Sequence, residues 1–93
     1  MSKLTANQIE KALQNLEDWE FKAETIRKTF EFDDFVGAMG FVIEVAQLAE
    51  ELEHHPDIDI RYNKVILKLT THDEGGVTEH DVRLARAIEA IIA

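Results

Sequence analysis

One stretch, Phe35 to Leu52, constrains this chain more than any other. Phe35, Met39, Val42, Ala46 and Ala49 fall on one stripe of a helix, and Phe41, Val45, Leu48 and Leu52 fall on a second. An apolar arc that wide is more than one neighbour can cover. Such a helix is expected to lie on a sheet with one side and to meet another subunit with the other. Asp33 or Asp34 can cap its start. Its end is set by Pro56, the only proline of the chain, because the residue before a proline is pushed out of the α region.

The flanking segments supply the sheet. Thr5-x-x-Gln8 reads as a capping box, with Ile9, Leu13 and Leu16 following at helical spacing. From Trp19 the period becomes two: Trp19, Phe21 and Ala23 share one face, and Ile26, Phe30 and Phe32 continue the alternation after a polar break, which predicts a hairpin. Ile58, Ile60 and Tyr62, a turn at Asn63, then Val65, Leu67 and Leu69 predict a second hairpin ending near Thr71. After the loop His72-Asp73-Glu74-Gly75-Gly76, Thr78-x-x-Asp81 repeats the capping pattern, and Val82, Ala85, Ile88 and Ile92 give a last amphipathic helix. The expected fold is therefore α+β in the order αββαββα. Its four-stranded, mainly antiparallel sheet carries the helices on one face, and the other face needs polar residues or a partner.

Length and charge narrow the function. A chain of 93 residues has no room for a second core, so one domain over residues 1–93 is expected. Ten Lys and Arg against nineteen Asp and Glu give a net charge of −9, which repels phosphate backbones and anionic headgroups. No direct nucleic-acid or membrane contact is expected. Without Cys there is neither a disulfide framework nor a thiolate metal site. The N-terminal residues lack the basic-then-apolar pattern of a signal peptide, and no run approaches the roughly 18 apolar residues of a membrane span, so a cytoplasmic location is expected.

Three of the four histidines fall at element ends. His54 and His55 stand where the long helix stops, and His72 stands where the second hairpin gives way to the glycine loop. A turn at Tyr62-Asn63 would bring these ends together. Imidazole titrates near neutrality, with an unperturbed pKa of about 6.5, so three of them suit paired acid and base work. Glu50 precedes His54 by four residues, the spacing that places two side chains on one helix face and lets a carboxylate hold one imidazole in a fixed tautomer. Each has a plainer reading beside it. A His-His pair before proline is an ordinary hydrogen-bonded helix terminus, Glu50 a solvated carboxylate, Asp81 the third position of a capping box, Thr70 and Thr71 ordinary strand residues, and His80 merely exposed. Adjacent histidines rarely ligate one ion together and no metal-motif spacing is present, so no metal is expected.

Together these residues resemble a known signature. Glu50-x-x-x-His54-His55-Pro56, then Tyr62-Asn63-x-Val65, Thr71-His72, Gly76-x-Thr78 and Asp81, with Trp19 and Phe30-x-Phe32-x-x-Phe35 upstream, is similar to the pattern of pterin-4a-carbinolamine dehydratases. The likeness covers most of the chain and implies the same αββαββα fold. Glu74 and Ile58 depart from it, Ile58 standing where an aromatic is common. The resemblance implies dehydration of 4a-hydroxytetrahydropterin, the product left by aromatic amino acid hydroxylases, to quinonoid dihydropterin, with no cofactor required. It further implies that His54 and His72 are the acid and base, with His55 assisting. Glu53 to His55 and Thr70 to Asp73 (Thr70, Thr71, His72, Asp73) would line the pterin, and Glu50 and Asp81 would orient the histidines. Homodimers or homotetramers built through helices and sheet edges are implied too. Animal members also act as dimerisation cofactors of a homeodomain transcription factor, which makes a protein-interaction module the alternative function.

Overall fold

In the computed structural model, which describes residues 2–92, the Thr5 hydroxyl accepts the Gln8 backbone N–H and the Gln8 side chain accepts that of Thr5. Both halves of the capping box are made. Helix α1 occupies Ala6–Leu13. Leu16, expected on its stripe, is buried in the turn beyond the helix. Strands β1 (Glu20–Lys22) and β2 (Thr25–Glu31) form the first hairpin. Helix α2 (Phe35–Leu52) precedes the second hairpin, β3 (Asp57–Arg61) with β4 (Lys64–Leu69). A single 3-10 turn at His72–Glu74 leads towards α3 (Glu79–Ile92).

The strands make one antiparallel sheet in the order β1-β2-β4-β3, in agreement with the α+β, αββαββα expectation. In the central β2–β4 pair Ile26 faces Leu69 and Phe30 faces Val65. These residues and Leu67 are buried on one face. The intervening Arg27, Thr29, Glu31, Lys64 and Lys68 occupy the other face with Ile66 among them, exposed or half-buried, so that face is largely polar. All three helices contribute to the core on the apolar face: Ile9, Phe41, Val45, Val82, Ala85 and Ile88 join the buried strand residues in one cluster. One charged side chain also points that way. Lys28 donates to Glu89 of α3 at 2.7 Å, and the same carboxylate oxygen accepts the Trp19 indole N–H at 2.9 Å, so the inward ammonium is paired.

Two expectations about faces need correcting. Trp19 is buried, but Phe21 is 37% exposed and Ala23 lies in the turn with φ 51°. β1 is a three-residue edge strand, and alternation assigns a side chain to a face without fixing how deeply that face is covered there. On α2 the buried side consists of Ala38, Phe41, Val45 and Ala49, so Ala49 belongs to the core stripe and not to that of Phe35. Val42, Leu48 and Leu52 pack against the core half-buried, whereas Phe35 is 48%, Val36 78% and Ile43 57% exposed. Asp34, not Asp33, is the N-cap, accepting the Gly37 N–H at 2.8 Å.

Candidate active site

The end of α2 determines where the two adjacent histidines go. Glu53 takes the left-handed conformation, φ 51° and ψ 43°, and its N–H returns to the Ala49 and Glu50 carbonyls. That single left-handed residue breaks the helical screw ahead of Pro56. His54 turns inward, with 13% of its side chain exposed, whereas His55 stays outside at 66%. Glu50 consequently pairs with His55, Oε2 to Nε2 at 2.5 Å, and not with His54 as the four-residue spacing suggested. The helix ends too early for that spacing to apply.

Across the sheet, Thr71 and Gly76 close the loop that carries His72. The Thr71 N–H donates to the Gly76 carbonyl at 2.9 Å, and Gly75 adopts φ 74° to let the chain return. The two ends meet around a cleft of about 260 Å³ lined by Glu53, His54, His55, Thr70, Thr71, His72 and Asp73. Glu50 and Asp81 stand behind it, each on a different histidine.

Asp81 is the structural centre of this corner. It is fully buried, and its Oδ2 accepts the Thr78 backbone N–H at 2.8 Å and the Thr71 hydroxyl at 2.9 Å, while Oδ1 lies 2.5 Å from His54 Nε2. A hydroxyl has one proton to give. Since that of Thr71 goes to Asp81, the Thr78 hydroxyl donates to Thr71 Oγ1, 2.8 Å away, and itself accepts the His80 N–H at 3.2 Å. The cap of α3, the end of β4 and the end of α2 are thus joined through one carboxylate, and capping and orienting are the same set of bonds. A carboxylate facing Nε2 selects the tautomer with the proton there and leaves Nδ1 as the acceptor. Among the described residues no buried side-chain nitrogen or oxygen lacks a partner, and Nδ1 of His54 has none among them, so it is open to solvent.

His80, read from the sequence as merely exposed, is half-buried, with its ring 5.5 Å from that of His54 at an interplanar angle of 30°. Its place in the first turn of α3, beside Asp81, is the only sequence signal that could have pointed to it. Among the described residues no group of three or more His, Asp or Glu side chains is arranged to hold a metal ion, and no helix is long and apolar enough to cross a membrane.

A family model described as pterin 4 alpha carbinolamine dehydratase matches residues 2–91. A protein of Acidobacterium capsulatum that provisionally carries the name pterin-4-alpha-carbinolamine dehydratase is 53% identical over 92 residues, covering 99% of this chain and 100% of its own. A similarly named protein of Sulfurisphaera tokodaii is 46% identical, with 99% of each chain covered. Among solved structures, a transcriptional coactivator/pterin dehydratase from Brucella melitensis superposes with a TM-score of 0.94 at 40% identity, over 99% of this chain and 100% of that one.

Proposed function

Because the chain belongs to the pterin-4-alpha-carbinolamine dehydratase family, we propose that it converts 4a-hydroxytetrahydropterin to quinonoid dihydropterin and water by histidine acid–base catalysis. The whole chain would act in this as one domain, in the cytoplasm, without a cofactor. The observation that carries the reading is the single cleft shared by His54, His55 and His72, with His54 tied to a buried carboxylate.

The elimination needs one proton taken and one given. Nδ1 of His54 takes the N5 proton, and the N–H electron pair becomes the N5=C4a bond. The C4a–O bond breaks, and the oxygen leaves as water with a proton from the His72 imidazolium. Solvent returns the proton from His54 to His72. His55, braced by Glu50, steadies the ring system. The pterin edge carrying the 2-amino group and N3–H offers two parallel donors, which suit a carboxylate such as Glu53 or Asp73. Among the described residues no Lys or Arg lines the cleft, which favours a pterin whose side chain carries no phosphate.

The test is to mix purified protein with enzymatically generated 4a-hydroxytetrahydropterin and follow quinonoid dihydropterin. A rate above the spontaneous one, unchanged by chelator, is expected. A rate equal to the spontaneous one sinks the proposal. A second reading, a protein-interaction module serving as dimerisation cofactor of a transcription factor, draws support from the likeness to the Brucella melitensis coactivator/dehydratase and from the exposed apolar side of α2. It predicts retention of function in that role when His54 and His72 are replaced by Ala.

A further inference from the structure

His80 has no part in the machinery described so far. It does not line the cleft, and only its backbone takes part in the network around Asp81. Its ring nevertheless lies against that of His54, at a separation of 5.5 Å that falls within the roughly 4.5–7 Å over which planar ring pairs interact. Asp81 grips the His54 ring at one atom, Nε2. One hydrogen bond fixes a direction but not a plane. An imidazole held there and by its own Cβ–Cγ bond can still turn about the line between the two, and turning displaces Nδ1, the atom on which proton transfer depends.

The neighbouring ring removes that freedom. The His80 backbone is itself anchored, since its N–H donates to Thr78 Oγ1 at 3.2 Å and that hydroxyl is bonded to Thr71. Two consecutive residues on the first turn of α3 therefore meet His54 in different ways, Asp81 through a hydrogen bond at Nε2 and His80 through a ring tilted 30° to its own. We propose that His80 is a positioning residue for His54, holding the plane of its imidazole so that Nδ1 stays directed at the cleft. The kinetic consequence rests on the dehydratase reading, whereas the orientation does not.

The test uses His80→Ala and His80→Phe in the full chain, with steady-state kinetics and the imidazole 15N–1H spectrum as separate readouts. His80→Ala removes the covering ring. His80→Phe restores a flat ring without ionisable nitrogens. Positioning predicts that His80→Ala lowers kcat by on the order of tenfold, KM staying within about twofold, and that His80→Phe recovers to within about threefold of wild type. The His54 ring resonances should shift or broaden in His80→Ala and return towards their original positions in His80→Phe. Unmoved His54 resonances in His80→Ala overturn the proposal whatever the activity, and so does a His80→Phe enzyme as impaired as His80→Ala. If the wild-type protein shows no dehydratase activity, the function proposed above fails and the spectra alone still decide the role of His80. If His80→Ala does not fold, nuclear Overhauser contacts between the two rings in the wild-type protein decide instead, and their absence overturns the proposal.

Discussion

Asp81 gathers three contacts on one side chain. Its two oxygens answer a backbone N–H at the start of α3, the Thr71 hydroxyl and His54. Replacing it by Asn keeps the shape but not the pattern of acceptors. The amide oxygen would stay with Thr78 N–H and Thr71, so the amide NH2 would face the ring and drive the His54 proton from Nε2 to Nδ1. Asp81→Asn is therefore expected to lower kcat by about 10²-fold or more while costing only about 1–2 kcal/mol in denaturant unfolding. A kcat within a few-fold of wild type would mean that the tautomer of His54 is immaterial. The histidines divide differently. His54→Ala and His72→Ala should each lose about 10²-fold or more in kcat, and the double variant much less than the product, because in the proposed reaction both act on one transition state. His55→Ala should register chiefly in KM. Were His55→Ala the most damaging to kcat and His72→Ala near wild type, the adjacent pair would have to carry both transfers.

At the level of elements, the first hairpin turns through Ala23 and Glu24, whose φ values of 51° and 62° are both left-handed. A two-residue turn of this kind favours Asn-Gly, and a β-carbon in that region costs energy. Ala23 is exposed, so Ala23→Asn is expected to raise stability by about 0.5–1 kcal/mol in chemical denaturation with activity unchanged. A loss of stability would show that the turn is held by something other than its backbone preference. The turn also marks a limit of reading from sequence. The alternation around it announced a hairpin, yet neither Ala23 nor Glu24 signals a left-handed turn. Caps were legible because they are local: Thr5 with Gln8 and Thr78 with Asp81 declare themselves over three residues. The corner that gathers the histidines was legible for a related reason, since a proline stops α2 and a glycine pair turns the chain after His72. The partner of Glu50 was not, because one left-handed residue at Glu53 decides it. The face of His80 was not, because the packing of α3 against the end of α2 decides it.

For the molecule as a whole, the outer side of α2 is the feature still unsatisfied. Phe35, Val36 and Ile43 remain exposed on a helix whose other side is core. Self-association through it is expected, so light scattering at micromolar concentration should report a multiple of 10.6 kDa. Val36→Glu together with Ile43→Glu should return the protein towards monomers. With a net charge of −9, subunits repel at long range, and added salt should tighten the assembly. A clean monomer in the native chain would mean that this side tolerates water. The double duty of Asp81 reaches further, to how descendants of such a chain would be read. A copy released from selection for chemistry would be free to lose His72, which sits exposed on its loop, yet it would still need Asp81 to begin its last helix. An aspartate at this position therefore testifies to fold and chemistry at once, and only the histidines in front of it separate the two.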